Sequence, residues 1–98
     1  MNYALIGCGR IATNHIKAVK NNNLNLVAVC DTSPEQMQQL LEKHDLQNDS
    51  SIKRYTDYKQ MIEENRIELI GTINVTRKFV NKAEAYIATC NCFSDFIA

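Results

Sequence analysis

The 98-residue chain has no tryptophan, one proline and three glycines, and its formal charges cancel to zero. Each scarcity removes a class of function. Without an excess of basic residues there is no overall field to draw the chain to nucleic acid or to an anionic membrane. No apolar run approaches the ~20 residues that a membrane-spanning helix needs. The first residues enter a strand-like apolar run directly, without the basic, apolar and small-residue regions of a secretion signal, so a cytoplasmic protein is expected. There are no repeats, low-complexity tracts or Pro/Gly-rich linkers, and residues 1–98 read as a single domain. Four cysteines, Cys8, Cys30, Cys90 and Cys92, are even in number, but a chain with 45% hydrophobic residues can build a core without disulfides, and reduced thiols are expected. The histidines, His15 and His44, share no zinc-type spacing with the cysteines, so no metal is expected.

What the chain does have is concentrated at its start. Asn2-Tyr3-Ala4-Leu5-Ile6 is a short, mostly apolar run, and Gly7-Cys8-Gly9-Arg10-Ile11-Ala12 follows with no spacer. This is G-x-G-x-x-A, the dinucleotide fingerprint with alanine in its third place. Gly7 lets the backbone turn sharply, Gly9 lets a pyrophosphate approach the main chain, and Ala12 lets a helix lie close on the strand. The amides of the first helical turn lack intrahelical acceptors and carry the positive end of the helix dipole, so an anionic diphosphate is their natural partner. Two contextual requirements are met: the motif stands between a strand and a helix, and Asp31 closes a second buried-strand run, Leu26-Val27-Ala28-Val29-Cys30.

Further along, Ile11, His15, Ala18 and Val19 recur at helical spacing, and Asn21-Asn22-Asn23 stops that helix. Ser33 and Pro34 form a cap and first position for a second helix whose inner edge is Met37, Leu40, Leu41 and His44. Ile52-Lys53-Arg54-Tyr55 reads as a brief edge strand, and a third helix opens at Tyr58, capped by Asp57 or Thr56, with Met61 and Ile62 inward. Residues 67–73 make a fourth strand, 79–87 a last helix and 92–97 a fifth strand. The alternation predicts an α/β fold: a doubly wound, Rossmann-like parallel sheet in the order 3-2-1-4-5, with helices on both faces and ligands at the carboxyl ends near the first strand.

The backbone and side chains of Gly7, Cys8, Gly9, Arg10 and Ile11 are the candidate phosphate-binding set, and Asp31, Thr32 and Ser33 the candidate ribose-binding set. The Asp31 carboxylate suits the two ribose hydroxyls and repels a 2′-phosphate. Like charges ~4 Å apart cost about 4 kcal/mol at an effective dielectric near 20, so NAD is expected over NADP. Asn74 and Thr76, at the end of the fourth strand, are candidates for the nicotinamide ribose. His15 reads as a core or interdomain residue, and Lys78 and Lys82 as a solvated helix face rather than proton donors. No catalytic residue is assigned.

The run from Ala4 through Ala12, then His15, then Leu26 through Asp31, then Tyr55-Thr56-Asp57-Tyr58, closely resembles the amino-terminal domain of the Gfo/Idh/MocA oxidoreductases. The resemblance spans residues 1–70 and implies a nicotinamide cofactor and hydride transfer at a carbon of a sugar or sugar nucleotide. Past Ile70 it thins. Where the family has A-T-P-x-x-x-H, this chain has Asn74-Val75-Thr76-Arg77-Lys78-Phe79-Val80-Asn81, and Ser94-Asp95-Phe96-Ile97-Ala98 carries no match to the family's E-K-P and its catalytic lysine. The family's substrate-forming carboxy-terminal domain has no counterpart either. The expectation is therefore a truncated dinucleotide-binding domain with an atypical tail over residues 71–98, not catalytic alone, and acting on a sugar-type substrate only if a second domain is supplied. The alternative is a non-catalytic interaction module whose copies associate through the surface that the missing domain leaves.

Overall fold

The computed structural model describes residues 1–9 and 12–72, and the backbone of residues 76–78. Its elements follow in the order β1 (Asn2–Ile6), α1 (Ala12–Asn21), β2 (Asn25–Cys30), α2 (Pro34–Lys43), β3 (Lys53–Tyr55), α3 (Tyr58–Glu64), β4 (Leu69–Gly71) and β5 (Thr76–Lys78). The sheet order is β3-β2-β1-β4-β5, with β1 parallel to both β2 and β4, and β2 parallel to β3. The Rossmann-like α/β arrangement is the one the sequence predicts.

Connection handedness explains where the helices go. The chain moves outward from β1 to β2 to β3, so right-handed crossovers put α1 and α2 on one face; it then reverses across β1 to β4, which puts α3 on the other. Two apolar clusters record the result. Tyr3, Leu5 and Val29 pack with Ala12, Ile16 and Val19 of α1 and Met37, Leu40 and Leu41 of α2. Ala4, Ile6, Ala28 and Ile70 pack with Met61 and Ile62 of α3. Alternate residues of β1 thus serve opposite faces, as the period of a strand requires. A register shift between Tyr3 and Ala4 marks an irregularity in the β1–β2 ladder.

Local signals account for the boundaries. Asn23 adopts φ 53 after α1, as expected of the asparagine run. The Ser33 hydroxyl accepts from the Gln36 amide to cap α2, and Asp57 accepts from the Lys59 amide to cap α3. Two expectations need correction. The buried stripe of α1 is Ala12, Ile16 and Val19, while Ala18 is exposed and His15 half-buried. Val19 belongs to both the predicted and the observed stripe; the correction falls on Ala18, which faces solvent, and on His15, which is half-covered and hydrogen-bonded to the Tyr3 hydroxyl, while Ile11 lies outside the described residues. The sheet is also not wholly parallel, because β5 is Thr76–Lys78 and runs antiparallel to β4, with Gly71 opposite Thr76. A connection over residues 72–75 is too short for a crossover and allows only a hairpin. The predicted helix at 79–87 and strand at 92–97 lie outside the described residues.

Gly71 marks a tight point in the interior. A Cβ there would overlap the Tyr3 hydroxyl, lie 2.7 Å from Tyr3 Cζ and 3.0 Å from His15 Nδ1. Tyr3 and His15 are themselves paired, Oη to Nδ1, at 3.0 Å, and Tyr3 is only 2% exposed. Gly71→Ala is therefore expected to destabilise the fold by about 1–3 kcal/mol through overpacking. Adding Tyr3→Val should return part of the Gly71→Ala loss if the Tyr3 ring is the obstacle. Urea denaturation of the single and double variants measures both effects.

Candidate functional site

The carboxyl ends of the parallel strands are fastened to one another by a short series of main-chain bonds. The Gly7 amide donates to the Cys30 carbonyl at 2.8 Å, joining the ends of β1 and β2, and the Asp31 amide donates to the Tyr55 carbonyl at 3.1 Å, joining β2 to β3. Gly7 sits at φ 94, outside the region that L side chains ordinarily adopt, so glycine is required there for the turn out of β1. The Ala12 amide donates to the Gly9 carbonyl at 3.1 Å as α1 begins.

The carboxylate of Asp31 then reaches across the glycine turn. Oδ2 accepts from the Cys8 amide at 2.8 Å, and Oδ1 accepts from the Ser33 amide at 2.8 Å. Both are short bonds to an acidic acceptor and hold its position at the head of the turn. Each carboxylate oxygen keeps acceptor capacity for a further donor. Asp31 is half-buried, so that capacity is available at the carboxyl edge of the sheet, between β1 and the start of α2.

Gly9 is exposed, and among the described residues the Gln36 Oε1 atom, at 3.6 Å, is what a Cβ on Gly9 would meet. Among the described residues no packing demands glycine at this position. The bare main chain is left open to a group arriving from outside, which is the fit a diphosphate needs. If a dinucleotide is bound, Gly7 through Gly9 would hold its diphosphate, Asp31 would accept from the adenosine ribose, and the nicotinamide would supply or take the hydride.

The other predicted site residues divide. Gly7, Cys8, Gly9, Asp31 and Ser33 are brought together; Thr32 is exposed beside them. Ser33 is a helix cap as well as a donor to Asp31. Arg10, Ile11 and Asn74 lie outside the described residues. The backbone of Thr76 is in β5, level with Gly71 at the carboxyl end of β4, rather than in a loop following that strand. Gln36 was not anticipated; its place three residues into a helix that starts right after the ribose-type aspartate was the available signal.

Cys8 and Cys30 are free and buried, and Cys90 and Cys92 lie outside the described residues. They belong to the clusters on opposite faces of the sheet. Burial, then the Asp31 carboxylate and the Cys30 thiol, pushes Cys8 up to about 12. Burial, then Asp31 and Asp57, pushes Cys30 up to about 11. Among the described residues no group of three His, Cys, Asp or Glu side chains is placed to hold a metal ion, and no helix is long and apolar enough to cross a membrane.

Comparison with known proteins agrees with this geometry. The model of the Gfo/Idh/MocA oxidoreductases, described as an oxidoreductase family with the NAD-binding Rossmann fold, matches residues 1–88. The chain belongs to this family. Among solved structures it is similar to the WlbA dehydrogenase of Bordetella pertussis in complex with NADH and UDP-GlcNAcA, with 26% identity and a TM-score of 0.59 over 71% of this chain and 21% of that one. It is also similar to a probable dehydrogenase from Thermotoga maritima, with 25% identity and a TM-score of 0.58 over 74% of this chain and 20% of that one. The redox-sensing transcriptional repressor Rex of Listeria monocytogenes is 32% identical over 71 residues, which is 70% of this chain and 30% of the repressor. The chain thus spans about a fifth of the Gfo/Idh/MocA-type structures and under a third of the repressor.

Two outcomes follow from the site. Asp31→Asn replaces one acceptor oxygen by a donor facing a backbone amide, and should lower stability by about 1–3 kcal/mol in urea denaturation even without ligand. The raised thiol values leave the native cysteines protonated near neutral pH. Their stabilising effect is complete below the ordinary thiol value of 9.0 and is lost as pH rises through about 11 to 12. At pH 8, peptide-resolved mass spectrometry should find Cys8 and Cys30 at least about a hundredfold slower to react with iodoacetamide than in denatured chain.

Proposed function

We propose that this chain is the cofactor-gripping part of an NAD-dependent sugar or sugar-nucleotide dehydrogenase and that it binds the dinucleotide without turning over substrate by itself. The observation that carries the reading is the Asp31 carboxylate, fastened to the Cys8 amide at 2.8 Å beside an uncovered Gly9. A fixed negative charge at that point favours ribose hydroxyls and opposes a 2′-phosphate, so NAD is preferred over NADP. The sugar-nucleotide class is supported by family membership and by the NADH and UDP-GlcNAcA held by the Bordetella WlbA structure.

Hydride transfer needs a substrate held against the nicotinamide and a group that takes the hydroxyl proton. Residues 1–98 contain no match to the family's E-K-P lysine, which supports binding without turnover by these residues alone.

The similarity to Rex supports a second reading, in which the same grip serves a non-catalytic module that associates with another chain or with its own copies. Sedimentation velocity with and without NADH separates the two, since a monomer across the whole concentration range counts against association.

The direct test is a fluorescence and calorimetric titration of the full chain. NADH is expected to bind weakly and to bind at least about tenfold more tightly than NADPH. Silence with millimolar NADH overturns the binding reading, and robust dehydrogenase turnover by the purified chain overturns the claim that it is not catalytic alone.

A further inference from the structure

Gln36 stands out because neither the fingerprint nor the fold requires its side chain where it is. It is the third residue of α2, and its amide donates to the Ser33 hydroxyl at 3.3 Å, so the capped first turn fixes its backbone. Its side chain is exposed, and among the described residues its carboxamide has no hydrogen-bond partner. The neighbouring Gln38, by contrast, is tied to Glu42 and Arg54. From that fixed base Oε1 lies 3.6 Å from the place a Gly9 Cβ would occupy. An amide without a hydrogen-bond partner among the described residues therefore overhangs the exposed main chain of Gly9.

We propose that Gln36 is a positioning residue for the dinucleotide, closing over the diphosphate from α2 while the glycine turn holds it from below. The inference rests on the dinucleotide reading above. The terminal amide torsion is broad and roughly two-fold, so a half-turn presents Nε2 where Oε1 now stands. An anionic oxygen seated against Gly9 lies on the side of the main chain that the Gln36 carboxamide faces. The amide gains a charged acceptor, and the anion gains a donor that brings no net charge. Asp31 and Gln36 divide the work along α2's entry: the carboxylate selects ribose, and the amide, one turn on, meets phosphate.

The test uses the full chain, with NADH fluorescence titrated directly and ADP-ribose and adenosine measured as competitors. Gln36→Ala should raise the Kd of NADH and ADP-ribose by about tenfold or more, the worth of one hydrogen bond to a charged group. Gln36→Glu should raise it further, and Gln36→Lys should lower it. Adenosine, which has no phosphate, should be held equally by all. That opposed effect of Glu and Lys on ADP-ribose, with adenosine unmoved, is one that loss of structure does not imitate, and thermal melting of each variant checks the fold. If Ala and Glu variants bind NADH as tightly as the wild type, or if adenosine is weakened as much as ADP-ribose, the role given to Gln36 is overturned while the dinucleotide reading stands. If the wild type itself shows no response to millimolar NADH, both are overturned.

Discussion

The structure depends on one carboxylate bridging two strand ends. A parallel pair such as β1 and β2 has no hairpin to tie its carboxyl ends, and the turn after β1 contains glycines that offer no side chain for the purpose. Beside the main-chain bond from Gly7 to Cys30, Asp31 adds a side-chain tie from the neighbouring strand by accepting the Cys8 amide, while its own amide reaches on to Tyr55. The same bonds that hold the turn hold the carboxylate, so the group that would recognise ribose is in place before any ligand arrives. Little ordering is left to do at binding, and binding energy is not consumed by it.

That double role explains why the site was legible before the fold was known in detail. G-x-G-x-x-A followed by an acidic residue at a strand end is a sequence pattern because it is a local mechanical requirement. Gly7, Gly9 and Asp31 are brought to one edge, as their spacing implies. The caps at Ser33 and Asp57 and the stripe of Met37, Leu40 and Leu41 were readable for the same reason, since each depends on near neighbours in the chain. Features that depend on tertiary neighbours were not. Val19 is buried on α1 as its spacing implies, but the half-burial of His15 depends on its pairing with the buried Tyr3, which the spacing does not show. The antiparallel β5 was missed because the length of a turn, not the apolarity of a strand, decides direction.

Grip and chemistry are separable in this architecture. The described site needs only strand ends, a glycine turn and the entry of α2, all within residues 1–9 and 12–72, whereas a substrate pocket has to be built elsewhere. Similarity both to dehydrogenases and to a redox-sensing repressor is the relation expected of such a unit. What the unit has in common with the oxidoreductase family is the NAD-binding Rossmann fold, and a fold of this kind does not by itself fix the use made of a nucleotide.

The distribution of glycine makes the same point from physical necessity. Two other turns take positive φ, at Asn23 and Asp45, with values of 53 and 57 that those side chains tolerate. Glycine is kept for places where no side chain would serve. Gly7 adopts φ 94, beyond that region; Gly71 lies against the Tyr3 ring and His15. At Gly9 a Cβ would meet, among the described residues, only the Gln36 Oε1 at an ordinary 3.6 Å. Packing and backbone strain explain the first two without any ligand, but neither explains the third. A glycine that none of the described residues requires, set beside a carboxylate held from two sides, leaves its main chain open at the carboxyl edge of the sheet.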